Sequence, residues 1–248
     1  MGAPAPRHRM VLAQARLELR LLVRNGESLV VTLGIPLGIL VFFGFVDVLP
    51  TDGDPVAFLV PGVLAISAMA TGLVALAIQT GFERKYGVLK RLGTSPLTRG
   101  SFVLAKALAM VVLLAVQVAA TVAVAVLLLD WEPTGSLAVA VVATLVGGGV
   151  FAAIGLLMAG TLTAELTLAL TNALFLVLLL VSGLAFDPDA LPADVAAVGS
   201  LLPSGALGNV LRAALSSPAT IDWSAAAVVV GWGVVATVAA VRSFRWDG

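Results

Sequence analysis

Phe82-Glu83-Arg84-Lys85-Tyr86-Gly87-Val88-Leu89-Lys90-Arg91-Leu92-Gly93-Thr94-Ser95-Pro96-Leu97-Thr98-Arg99-Gly100 stands between two long apolar runs. Extended to Lys106, it holds six of the chain's fourteen lysines and arginines. In a membrane chain, a loop this basic stays on the cytoplasmic side. Read as a helix, Phe82, Tyr86 and Leu89 fall at i, i+4 and i+7 and share one face. Glu83, Arg84, Lys85, Lys90 and Arg91 cover much of the remainder. Gly93 suits a left-handed helix stop, and Ser95 before Pro96 suits a new N-cap with proline in the first turn. The spacing predicts a short amphipathic helix over 83–92 on the membrane surface, a tight turn, and a restart into the bilayer. A loop that only fixes topology is the simpler reading, but the segment is more patterned than such a loop needs.

Composition sets the class. Of 248 residues, 60% are hydrophobic and 11% charged, where a soluble domain has about 25% charged. The chain reads as an all-α polytopic membrane protein. It has no cysteine, which excludes disulfides, thiolate metal sites and cysteine nucleophiles. Its one histidine, His8, lies in a polar N-terminal tail, so no histidine metal cluster or triad is expected.

Residues 10–24 read as an interfacial amphipathic helix, with Arg16, Arg20 and Arg24 on one face and Leu12, Leu19 and Val23 on another. A spanning helix needs about 20 apolar residues. Runs that meet this need are placed at 28–46, 56–81, 107–129, 136–163, 166–186 and 223–241. Pro36 is expected to kink the first. The segment 187–222 is too polar to cross as one helix. Pro188, Pro192, Pro203 and Pro218 divide it into short pieces, expected to be interfacial or re-entrant on the outer side.

Six spans place both termini on one side. That side collects thirteen of the fourteen lysines and arginines, leaving only Arg212 opposite, whereas Asp47, Asp52, Asp54, Asp130, Glu132, Asp187, Asp189, Asp194 and Asp222 fall in the opposite loops. Both termini are therefore expected in the cytoplasm, in a multi-pass protein of the plasma (inner) membrane.

Almost no ionisable residue lies inside a predicted span, which argues against a proton- or sodium-driven carrier. Glu165, at the end of the fourth span, reads as a solvated carboxylate. Gln79, Gln117, Thr144, Asn172 and Ser182 are uncharged polar groups within spans, suited to interhelical hydrogen bonds. Gly147-Gly148-Gly149, with Gly155 and Gly160, suits close helix approach. No G-x-x-x-x-G-K-[ST] run is present, so the chain has no P-loop of its own. The two halves share no repeat that would mark an inverted-repeat transporter.

The loop reads Glu83, Gly87, Leu89, Leu92, Ser95-Pro96-Leu97 and then Lys106. With the N-terminal helix, six spans and a broken outer hairpin, it resembles the membrane-spanning subunits of type-2 ATP-binding-cassette exporters, over nearly the whole chain. The loop is most similar to those of the drug and antibiotic export branch. The resemblance implies that 83–92 is a coupling helix docking on an ATPase. Phe82, Glu83, Arg84, Tyr86, Gly87, Leu89, Arg91 and Pro96 would be its contact set, and the helix with Arg16, Arg20 and Arg24 a second contact. It further implies a permease without catalytic residues, two P-loop ATPase subunits that bind ATP and magnesium, and a second permease subunit, identical or similar. The bilayer is its medium and no nucleic acid is expected. The implied activity is export of a drug-like, antibiotic or lipidic substrate. A lipid or glycan exporter of the same family, and a non-transporting membrane scaffold, are the alternatives.

Overall fold

The computed structural model of the chain describes residues 6–24, 26, 30–46, 55–88, 90, 98–184 and 192–243. Among these residues all regular structure is helical. In chain order the elements are α1 (Arg7–Arg24), α2 (Ile35–Phe45), α3 (Pro55–Lys85), α4 (Arg99–Leu128) and α5 (Leu137–Thr161). There follow α6 (Ala164–Val181), α7 (Ala193–Leu201), α8 (Pro203–Leu215) and α9 (Trp223–Ser243).

Helices α3, α4, α5, α6 and α9 are long and apolar enough to cross a membrane. The α7–α8 pair, bent by 88° at Leu202, would make a sixth span or a re-entrant loop. At the first expected run the described apolar helix extends from Thr32 to Phe45, and residues 27–29 and 47–54 on either side lie outside the described residues. Pro36 stands in the first turn of α2, which continues through helical Gly34 from one π turn over Val30–Gly34. Proline has no N–H to return to the carbonyl four residues back, and the π turn just before it takes up the irregularity.

Local signals set the other boundaries. Thr98 Oγ1 accepts from Ser101 N at 3.3 Å and starts α4 well before the expected residue 107. Ser136 and Thr163 cap α5 and α6 in the same way. Asp222 Oδ1 accepts from Ala225 N (3.0 Å) and Ser224 Oγ (2.6 Å) at the start of α9, holding its carboxyl below the usual aspartate range. At the basic end, α3 runs on through Glu83–Lys85 instead of breaking into a separate helix at 83. Its stop is Gly87, at φ +69°, where the left-handed conformation costs glycine nothing. The expected stop at Gly93 and restart at Ser95-Pro96 lie outside the described residues, as do the loop residues Asp47, Asp52, Asp54, Asp187 and Asp189.

The core is α3. Val60, Leu64, Ala65, Ala68, Met69 and Leu73 are sealed beneath α2, α4, α5 and α8. Lipid tails are as apolar as leucine, so these helices are held by close contact and polar links instead of by exclusion of water. One close approach is where α3 crosses α5. A Cβ on Gly72 would sit 2.5 Å from the Gly148 carbonyl oxygen, and one on Gly155 2.8 Å from that of Gly72. The α7–α8 hairpin is tied to its neighbours through polar groups. Arg212 donates to the Gly183 carbonyl and lies 5.2 Å from the Phe58 ring, while Trp232 Nε1 donates to Leu201 O at 2.9 Å. Helices α6 and α9 form the outside, with Leu176, Leu180, Val234 and Val235 exposed.

Candidate functional site

Three helices meet at Lys106. It is the one charged residue of α4 beyond the first turn, and its side chain is only 4% exposed. Its Nζ lies 3.0 Å from Glu18 Oε2 of α1 and 2.9 Å from the Glu83 carboxylate of α3. Gln79 Nε2 bridges the two acids, donating to Glu18 Oε2 at 2.6 Å and to Glu83 Oε1 at 3.0 Å. Gln14 Nε2 supplies Glu18 Oε1 at 2.8 Å, and the Phe102 ring lies 5.1 Å from the ammonium. Burying charge costs several kcal/mol per ion, offset here by the two ion pairs of Lys106 and the hydrogen bonds from Gln79 and Gln14. The cluster therefore specifies one arrangement of α1, α3 and α4.

The local sequence explains why these groups face inward. Val11, Ala15 and Glu18 follow i, i+4, i+7 and make the buried stripe of α1, packed against α4. Arg16, Arg20 and Arg24 lie exposed on the rest of the helix, and so do Leu12 and Val23. Gln79 and Glu83 are four apart on α3 and present one face.

Beside the cluster, α3 ends in an aromatic ridge. Phe82 and Tyr86 stack with centroids 6.0 Å apart and planes at 26°, and Tyr86 is 65% exposed. Arg84 donates to the Leu162 carbonyl and Lys85 pairs with Glu165, so the same helix end is fastened to the α5–α6 turn. Glu165 is thus a surface carboxylate with a cationic partner. An open groove of about 750 Å³ runs along the ridge between α1 and α3, with Leu21, Ile78 and Tyr86 among its walls.

Of the residues singled out in the sequence, Phe82, Glu83, Arg84, Tyr86 and Gly87 gather at this end of α3. Leu89, Arg91 and Pro96 lie outside the described residues. Gln79 and Gln117 do link helices, whereas Thr144, Asn172 and Ser182 bond back to carbonyls of their own helices. Gln117 joins two π turns. Its Nε2 donates to Thr32 O at 2.6 Å, the carbonyl that Pro36 cannot serve, and its Oε1 accepts from Thr71 Oγ1 at 2.9 Å within the π segment Ala70–Ala75. The partnership of Glu18 with Lys106 was missed. The signals for it are one acid at the buried spacing of a basic helix and one cation in an apolar run.

Fold and site together define a multi-pass helical membrane protein whose polar groups fasten helices to one another. Residues 11–215, from α1 to the end of α8, match the ABC-2 type transporter family, and the chain belongs to that family of transporter permeases. Permeases of this kind generally work with a separate ATPase subunit. No curated protein sequence matches the chain.

Proposed function

We propose that the chain is the permease subunit of an ABC exporter, moving a drug-like, antibiotic or lipidic substrate out of the cytoplasm. ATP and magnesium are bound and used by two copies of a separate P-loop ATPase, and a second permease subunit completes the pore. The observation that carries this reading is the junction at the end of α3. An aromatic ridge, half-buried Phe82 and exposed Tyr86, sits directly on an ionic knot that joins α1, α3 and α4. A partner seated on the ridge moves three helices as one body, because the Lys106 links do not stretch. Phe82 and Tyr86 would anchor in an apolar groove of the ATPase, with Arg84 at the polar rim and α1 with Arg16, Arg20 and Arg24 alongside.

The basic ends of α3 and α4 then face the cytoplasm of a cell whose plasma membrane the chain spans. Single cysteines at Glu132 and at Lys90, both exposed, test this orientation. An impermeant thiol reagent added outside cells should label the first and leave the second unlabelled; the reverse pattern would place the ridge on the wrong side for an ATPase. Stimulation of the partner's ATP hydrolysis by a transported amphiphile separates a transporter from a scaffold, which would show none.

A further inference from the structure

Helices α4 and α9 both pack on α5 but hardly on each other. Between them, towards the basic end, a cleft of about 440 Å³ opens, inside the range of about 300–1,000 Å³ occupied by small-molecule sites. Phe102 and Met110 form one wall and Val241 the other, with Gly149 and Ala152 as floor. From Phe102 to Met110 the cleft follows α4 for about 12 Å, close to one leaflet's share, ~15 Å, of a hydrocarbon core. Its mouth lies between exposed apolar residues, Val103 and Leu104 on α4 and Val238 and Val241 on α9. It therefore opens to lipid.

Two features indicate a ligand. Thr80 of α3 lines the cleft, is 1% exposed, and its Oγ1 has no hydrogen-bond partner among the described residues. A helical threonine usually gives its hydroxyl to a carbonyl one turn back, as Thr144, Thr167 and Thr171 do here. Gly149 is the second feature. A Cβ there would meet nothing within 4 Å, whereas at Gly147 and Gly148 it would meet Leu207 at 2.4 Å and Leu114 at 2.3 Å. Packing of this chain accounts for the first two glycines of the triplet and leaves the third as floor space.

We propose that the cleft holds one acyl chain of a phospholipid from the leaflet on the basic side, with the ester carbonyl of that chain accepting a hydrogen bond from Thr80 Oγ1. A saturated tail alone would leave the hydroxyl unpaired; an ester places its acceptor between tail and headgroup, at the basic end where Thr80 lies. Exposed Arg242 follows Val241 at the rim, where the lipid phosphate would sit. The inference rests on the chain being a membrane protein and is independent of what it exports.

The test uses the full chain in bilayer nanodiscs doped with a phosphatidylcholine that carries a diazirine on an ester-linked tail, beside its ether-linked counterpart. Photolabelling should concentrate on 102–110 and 237–241, and Gly149→Leu should reduce it there to the level of lipid-facing α6. Thr80→Val should lower the yield of the ester probe about five-fold while leaving the ether probe unchanged, and Thr80→Ser should restore it. Labelling spread evenly over α4, α6 and α9 in every variant would reduce the site to ordinary boundary lipid and overturn the proposal. Equal sensitivity of ester and ether probes to Thr80→Val would overturn it as well, and that comparison holds within one folded variant.

Discussion

Replacing Lys106 by methionine keeps the length of its apolar stem and deletes the cation. The structure then leaves Glu18 and Glu83 buried side by side, joined through Gln79 and with no positive charge at either carboxylate. Removing one partner of a buried pair costs about 3–5 kcal/mol, because the remaining charge keeps its desolvation penalty and loses its compensation. Two carboxylates are stranded here, so the upper part of that range applies. For a chain of this size each kcal/mol moves a thermal midpoint by about 2–4 °C, so a fall of about 8–20 °C is expected for Lys106→Met. The assay is thermal unfolding of the purified protein in detergent, followed by tryptophan fluorescence. A triple variant that also carries Glu18→Gln and Glu83→Gln should recover most of the loss, since neutral amides of similar shape need no counter-charge. A Lys106→Met midpoint within about 2 °C of the parent, or a triple variant no better than the single one, would refute the claim that this cluster holds α1, α3 and α4 together.

Two further outcomes test the packing and the helix ends. Gly72→Ala should destabilise by about 1–3 kcal/mol, because its Cβ would press on backbone atoms of α5. Gly149→Ala should be neutral or slightly stabilising, and the same unfolding assay compares them. Asp222→Ala should cost about 0.5–1 kcal/mol through loss of the α9 cap. The Asp222 carboxyl titrates below its usual value because Ala225 N–H and Ser224 O–H bond the charged form. Its stabilising effect is therefore full above the unfolded-state pKa near 3.8 and vanishes as pH falls through the lower folded value. Parent and variant should differ at pH 7 and converge as the pH falls through the folded-state value of Asp222, as pH-dependent melting would show.

Hydropathy marks the long runs plainly because a spanning helix must satisfy its whole backbone internally and dress it in apolar side chains. Five long apolar helices, α3, α4, α5, α6 and α9, and the break between α7 and α8 were legible in that way. The π turn before Pro36 was not, because composition counts apolar residues without asking which carbonyl a proline leaves unserved. The end of α3 was blurred for another reason. Gly87 and Gly93 both suit a left-handed stop; α3 stops at Gly87, where Arg84 and Lys85 are fastened to the α5–α6 turn, and Gly93 lies outside the described residues. Local periodicity places Phe82 and Tyr86 together on one face, as the stacked rings are. The links of Lys106 to Glu83, 23 residues away, and to Glu18, 88 residues away, were not legible, since they depend on how α1 and α3 lie across α4. The α1–α4 crossing is set by the small side chain of Ala15 meeting Ala105, which no periodicity announces.

The measurement closest to the central claim is affinity purification of the tagged chain from membranes in mild detergent, with mass spectrometry of what accompanies it. The account predicts a P-loop ATPase in stoichiometric amount, lost when exposed Tyr86 is changed to Asp and retained when exposed Leu176, on the far face of α6, is changed to Ala. A folded, stable preparation of this chain with no ATPase, or an ATPase that stays bound to the Tyr86→Asp protein, would contradict it.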